Sequence, residues 1–192
     1  MKALEILKEE HRQIEKVLAA LRRAVTRARK GQGLDPEWFG RAATFLVKMA
    51  DENHAFKEDD VLWRSLEKHD LLSAEDRVLR LFEHHLVSSL HARAIAELAA
   101  AVKAGDVSSI PDMLDAASAY VDVVQAHIRQ EERVIHPQAE RLPPEACEEL
   151  LVRFGELETV TPEEFAAAAD ELASKVAVHE PSAQASPLTA ST

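Results

Sequence analysis

The chain has 192 residues, 46% of them hydrophobic and 30% charged, and its formal net charge at pH 7 is −11. That length suffices for one hydrophobic core, and the negative charge opposes binding to the phosphates of a nucleic acid. No stretch approaches the about 20 apolar residues of a membrane span, and the N-terminal residues lack the apolar centre of a signal peptide. We therefore expect a cytoplasmic protein that binds neither membranes nor nucleic acid.

The composition favours helices, because the chain has only five glycines and many Ala, Leu, Glu and Arg residues. Asp35 as N-cap and Pro36 at the first helical position are typical of a helix start. Glycines and prolines elsewhere in the chain mark further helix ends. Together these residues indicate four long helical stretches, at residues 2–30, 35–68, 73–105 and 111–137. Short connections join antiparallel neighbours, so the sequence predicts an all-α fold built on an up-down-up-down four-helix bundle.

Additional C-terminal helices are predicted in two segments after the bundle, PPEACEELLVRFGELE and TPEEFAAAADELASKV. We expect them to pack on the outside of the bundle. The last residues have too little apolar surface to become ordered. The predicted division is therefore a bundle at residues 1–140, accessory helices at 141–178 and a disordered tail at 179–192.

Polar side chains interrupt the apolar lines that the four long helices are expected to bury. Apolar residues recur at spacings of three and four, which places each line on one helical face. The polar members are His11 on the first helix, His54 and Glu58 on the second, His84 on the third, and His127 and Glu131 on the fourth.

The remaining histidines are given no ligand role. His85 lies about 100° around the helix from His84, off the buried line. His91 and Tyr120 lie two turns from the proposed ligands and are expected to be core or supporting residues. The histidines expected to be exposed or in loops are His69, His85, His136 and His179.

Carboxylates on a buried face need a compensating charge, because each ionised group costs several kcal/mol in a protein interior. None of the four lines carries a Lys or Arg near these positions. A metal cation can supply the charge, and imidazole and carboxylate are suitable ligands. With a rise of about 1.5 Å per residue, antiparallel packing brings the six side chains to one level. The alternative is a metal-free bundle with polar core residues.

The number of ligands favours two metal ions. Six side chains exceed the four ligands of a tetrahedral zinc, and no cysteine indicates a structural zinc site. Histidines with bridging carboxylates suit iron, and manganese less well. No Glu in the chain is followed by a His three residues later, which argues against the ferritin-like carboxylate proteins.

The segments EEHRQIEKVL, NHAFKEDDVLW, LFEHHLVSSL and HIRQEERVIHP resemble, in this order, the ligand segments of the haemerythrin-like (HHE cation-binding) domain. The resemblance spans residues 4–137. It implies that two irons, joined by an oxo or hydroxo bridge, are held by the six side chains, with Glu58 and Glu131 bridging. Oxygen-carrying haemerythrins have His where Ser88 follows His84, and have Asp five residues after the fourth-helix His. The pattern H, HxxxE, H, HxxxE resembles that of a bacterial subgroup.

Open coordination positions in such a site would accept a small molecule. Two octahedral irons offer about twelve positions, of which the side chains and the bridge fill about ten. The resemblance implies a non-haem di-iron protein that binds O2 or a related small oxidant for storage, delivery or sensing. A di-iron oxidoreductase acting on hydrogen peroxide, nitric oxide or peroxynitrite, and an iron store, stay as alternatives that the sequence does not separate.

Overall fold

The structure is a computed structural model that describes residues 1–72 and 76–176, with side chains in residues 1–72 and 83–176. Two π-helical segments, Leu46–His54 and Lys57–Leu62, connect α2 to α3, and a 3-10 turn precedes α5. In this part of the chain there is no strand, and no helix is both long and apolar enough to cross a membrane. The helices are α1 (Lys2–Arg29), α2 (Pro36–Phe45), α3 (Trp63–Lys68), α4 (Asp76–Lys103), α5 (Ile110–Ala139), α6 (Pro144–Leu157) and α7 (Pro162–Lys175).

The predicted all-α fold is confirmed. Residues 36–68 form one continuous helical element, the second rod, which comprises α2, the two π-helical segments and α3. The second rod packs against α1 and α4, and α5 packs against α4 and α1. The four elements therefore form an up-down-up-down bundle in which each lies beside its neighbours in the chain, as short connections require.

The ends of the bundle helices follow from local chemistry. The side chain of Asp35 accepts a hydrogen bond of 3.0 Å from the backbone N–H of Trp38 and caps the second rod. After α1, Gly31 adopts a φ of +69°, a conformation that favours glycine. The fourth bundle helix differs from the prediction, because α5 continues through Pro137 and ends at Ala139. Proline has no N–H to donate to the carbonyl four residues before it, so α5 lacks one hydrogen bond near its C-terminal end.

The π-helical segments keep the inner residues of the second rod aligned. Leu46, Ala50, His54 and Glu58 are spaced by four residues, and all are buried. In a regular α-helix each step of four residues turns about 40° beyond a full turn, so three steps would move Glu58 about 120° away from Leu46. The i→i+5 hydrogen bonds of a π-helix place more residues in each turn and offset this drift. Both His54 and Glu58 consequently face the interior.

A polar layer divides the apolar core into two clusters. Along α1 the smaller cluster reaches Leu7 and the larger begins at Ile14, with His11 between them. Along the second rod Ala50 belongs to the larger cluster and Val61 to the smaller. The predicted ligands on these two elements therefore lie at one level of the bundle, as the antiparallel arrangement predicts.

The C-terminal helices cover one side of the bundle. The α6 helix packs against α1 and the Lys57–Leu62 segment, and α7 packs against α1 and α2. Thr161 and Glu164 form a capping box that begins α7. The division of the chain after residue 140 stays a prediction, and the predicted tail at 179–192 lies outside the described residues.

Candidate metal centre

Five of the six predicted ligands lie together in the polar layer. They come from α1, the second rod and α5, and none is more than 4% exposed. Among the described residues, the two carboxylates of this layer have histidines as their only ion-pair partners. The five side chains are His11, His54, Glu58, His127 and Glu131.

The carboxylate of Glu58 lies at the centre of the layer and faces two pairs of imidazoles. Its Oε1 lies 2.8 Å from Nε2 of His54 and 3.4 Å from Nε2 of His11. Its Oε2 lies 3.2 Å from Nε2 of His85 and 3.4 Å from Nε2 of His127. Each oxygen therefore serves a different pair of histidines, which is the arrangement of a bridging carboxylate.

Glu131 approaches the same layer from α5. Its Oε2 lies 3.1 Å from Nε2 of His11 and 3.7 Å from Nε2 of His127, so this oxygen lies between the two pairs. Its Oε1 lies 3.3 Å from Nε2 of His136. Glu131 is thus placed as a second carboxylate shared between the pairs.

These donors form two groups that can each hold a metal ion, and within each group the ligand atoms lie within 4.8 Å of one another. Neighbouring ligands in an octahedral site lie about 3 Å apart, because each is about 2.1 Å from the ion and at a right angle to the next. The distances around Glu58 are close to that value. Glu58 belongs to both groups, which are His11, His54, Glu58 and Glu131, and Glu58, His85 and His127.

The structure brings His85 into the layer in place of His84. The Nε2 atom of His85 lies 3.0 Å from Nε2 of His127, whereas the ring of His84 is centred 6.0 Å from the His127 ring, and His84 is in neither group. The expectation that His85 has no place in the site does not agree with this geometry. The identity of the ligands, including the third-helix one, stays a prediction.

The expectation that His136 is exposed is wrong. Its side chain is only 2% exposed and lies against Glu131. The error arises from treating Pro137 as the end of the fourth helix, because the continuing helix holds His136 in a fixed, inward direction. His179 lies outside the described residues.

Three imidazoles of the layer contact an outer carboxylate through Nδ1. Asp59 places both carboxylate oxygens 3.0 Å from Nδ1 of His85, and Glu10 places Oε2 at 2.8 Å from Nδ1 of His54. The third contact joins Nδ1 of His11 to Oε1 of Glu132 at 3.3 Å. A carboxylate on one ring nitrogen orients the other nitrogen and makes it a better metal ligand. Spacing along the separate helices does not reveal these partners.

A buried lysine accompanies this outer shell. Lys57 is 1% exposed and forms ion pairs with Glu10 and, at 3.5 Å, with Glu158. The sequence pattern gave no sign of a buried cation near the site. The charge of Lys57 is paired with Glu10 and not with Glu58 or Glu131. These two central carboxylates therefore keep imidazoles as their partners.

Imidazoles and carboxylates of the layer share protons, and this alters the pKa values of both kinds of group. Burial raises the pKa of Glu58, but nearby imidazoles, with His54 foremost, outweigh burial and hold this pKa well below its ordinary value. Burial lowers the pKa of His54, but the charge of Glu58 and hydrogen bonds raise it to about 9. For His85, hydrogen bonds to Asp59 and Glu58 overcome burial and raise the pKa to about 10. Metal binding requires neutral imidazoles and would release these protons.

We expect the metal-free protein to become less stable as the pH rises. A group whose pKa is higher in the folded state stabilises that state fully below its unfolded pKa, and this contribution disappears as the pH passes the folded pKa. For His54 and His85 the interval begins near 6.5 and ends near 9 and 10 respectively. Thermal unfolding of chelator-treated protein across this range should show a falling Tm. An equal fall in the metal-loaded protein would contradict this explanation.

The fold and the layer together define a class of protein: a four-helix bundle with a buried layer of histidine and carboxylate side chains that could hold metal ions. A family model described as "Hemerythrin HHE cation binding domain" matches residues 2–139, which include every member of both groups. The chain therefore belongs to the haemerythrin HHE cation-binding family. Comparisons with curated proteins and with solved structures gave no match. The assignment to a bacterial subgroup stays a prediction.

Proposed function

We propose that this chain is a haemerythrin-like non-haem di-iron protein that binds O2 or a related small oxidant for storage, delivery or sensing. The observation that supports it best is the position of Glu58, whose two oxygens face separate pairs of imidazoles. A carboxylate so placed can join two ions. Family membership supports a cation site but does not identify the metal or the ligand.

The donor set favours iron. Imidazole nitrogens and carboxylate oxygens suit iron, whereas soft copper and structural zinc sites use thiolates, and Cys147 is not part of the layer. Bound iron would supply electrons to an incoming oxidant, and the protein would fix the two ions and their common ligands. The side chains that would hold the irons are His11, His54, Glu58, His85, His127 and Glu131.

A small cavity beside the layer supports a small ligand. It has a volume of about 20 Å³, enough for a water-sized molecule, and its lining includes His85, His127 and Tyr120. Asp51 and His85 line both this cavity and a surface pocket of about 250 Å³. The shared lining residues place the His85 and His127 pair close to the protein surface, and the size of the cavity favours a small ligand over a larger substrate.

A second candidate function, disproportionation of hydrogen peroxide or reduction of nitric oxide or peroxynitrite, is supported by the acid groups of the cavity. Burial raises the pKa of the Asp51 carboxyl to about 6. The hydroxyl of Tyr120 is fully buried at the same cavity. A protonated Asp51 can hold a proton near a bound oxidant, and the step that reduces the oxidant takes up protons. Reversible binding of O2 does not require this group.

Anaerobic reconstitution with Fe(II) tests the proposed function. Optical spectra are recorded before and after addition of O2 and, separately, of hydrogen peroxide, with iron content measured by elemental analysis. A stable spectrum that reverses when O2 is removed supports binding. Rapid gas evolution from peroxide supports the second candidate. Uptake well beyond about two irons per chain indicates an iron store, and absence of bound iron contradicts the proposal.

The third-helix ligand can be identified by comparing two neighbouring variants. We expect His85→Ala to lose most of the iron held by the Glu58, His85 and His127 group, because it removes one of the two imidazoles there. His84→Ala should keep iron content near that of the unchanged protein. Iron per chain, measured after identical reconstitution, distinguishes them. If His84→Ala loses the iron and His85→Ala keeps it, the arrangement on α4 is the one predicted from the sequence.

A further inference from the structure

His136 is a buried imidazole that neither of the two ligand groups includes. It is 2% exposed, and its Nε2 points at Oε1 of Glu131 from 3.3 Å. Its ring stacks on that of His11, with centroids 5.8 Å apart and 10° between the planes. Within the described residues its Nδ1 has no hydrogen-bond partner, and the Glu131 carboxylate is the polar group that Nε2 approaches. The partner of this buried ring is therefore a carboxylate that itself belongs to a ligand group.

We propose that His136 is a further ligand of the metal ion held by His11 and His54. The inference rests on the proposed di-iron function and adds an imidazole to it. Oε2 of Glu131 faces His11 and Oε1 faces His136, so the two parallel rings approach the two oxygens of one carboxylate. The 3.3 Å between Nε2 of His136 and Oε1 is close to the about 3 Å that separates neighbouring ligands of one octahedral ion.

The position of His136 assigns it to one ion and not to the other. Its ring neighbours His11, which belongs to the first group. His136 does not line the cavity beside the layer, whereas His54 of the first group and both imidazoles of the second group do. The first ion would then have three imidazoles and the second two. With fewer imidazoles, the second ion would have more open coordination positions, and both of its imidazoles line the cavity.

Iron-specific spectroscopy tests this asymmetry without an assay of activity. In the ⁵⁷Fe-reconstituted protein we expect Mössbauer spectra with two distinct quadrupole doublets of equal area. X-ray absorption should give about 2.5 imidazoles per iron, falling to about 2 in His136→Gln. The glutamine can still donate an N–H to Glu131 but lacks an imidazole. The matched control is His69→Gln, because His69 follows the last residue of α3, outside the ligand groups, and its Nδ1 lies 2.8 Å from the Ser65 carbonyl oxygen.

Three outcomes would overturn the proposal in distinguishable ways. If His136→Gln keeps both doublets and the imidazole count, His136 only donates a hydrogen bond to Glu131, and the di-iron function stands. If the unchanged protein binds no iron, the proposed function fails as well. If a helical His136→Gly variant shows one altered doublet that added imidazole does not restore, the loss is structural. Restoration of the doublet by imidazole supports ligation.

Discussion

Glu58→Ala is expected to remove nearly all iron from the reconstituted protein. Loss of an outer-shell partner of a metal site costs about 10–100-fold in affinity, and the loss of a ligand shared by both ions should cost more. Glu58 is fully buried, and its two oxygens face different imidazole pairs. Without it, Glu131 is the one carboxylate that remains among the proposed ligands, and the second group keeps no carboxylate of its own. Elemental analysis after reconstitution measures the effect, and circular dichroism should show nearly unchanged helicity.

Two further variants make the result specific. Glu58→Gln keeps the volume of the side chain while removing its charge, so it should lose iron as Glu58→Ala does. Glu52→Ala changes an exposed carboxylate on the same rod and should bind iron normally. Full iron occupancy in Glu58→Ala would show that Glu58 does not bridge the ions.

Lys57→Met is expected to lower the free energy of unfolding by about 3–5 kcal/mol, the usual cost of removing one partner of a buried ion pair. Lys57 is 1% exposed, and its partner Glu10 is 5% exposed. Loss of the ammonium group would leave the Glu10 carboxylate buried, with the Nδ1 atom of His54 as its close partner at 2.8 Å. Urea denaturation of the metal-free protein measures the change.

A control and a double variant separate the ion pair from the loss of a long side chain. Lys48→Met, at an exposed position of the same rod, should change the free energy of unfolding by less than about 0.5 kcal/mol. Glu10→Gln combined with Lys57→Met should recover part of the loss, because no unpaired carboxylate then remains buried. A loss below about 1 kcal/mol in Lys57→Met alone would contradict the importance of the pair.

The bundle could be predicted from sequence because its signals are local. The cap at Asp35, Pro36 and the glycines after α1 act within a few residues of their own positions. The buried lines on α1, the second rod and α5 identify inward faces, because nearly every apolar member of each line is buried. Five of the six proposed ligands follow from these lines alone.

The same rule is less decisive on α4, where apolar residues lie on both faces: Ile95 and Val102 are buried, but other apolar residues are exposed. Leu86 is 65% exposed and Leu90 is 61% exposed, so apolar spacing cannot fix the rotation of this helix. Whether His84 or His85 faces the layer depends on contacts with another element, here the pairing of His85 with Asp59 on the second rod. Such a contact exists only after the helices have packed.

Two other features also depend on packing. Spacing of four residues from Leu46 to Glu58 would drift out of line in a regular helix, and the π-helical turns that correct it have no separate sequence signal. His136 lies five residues after Glu131, about 140° around the helix, so helical spacing places it off the ligand line. The His136 ring contacts Glu131 because its side chain is directed towards that carboxylate, which spacing along the helix does not indicate.

The polar layer also has a consequence for cooperativity. The two apolar clusters meet only across charged and imidazole groups, so each end of the bundle has its own share of the stabilising burial. In such a molecule one end can open while the other stays folded, as a separate unit. Ligands drawn from α1, the second rod, α4 and α5 to shared ions would fasten the two ends together. Metal loading would thereby turn two partial openings into a single event.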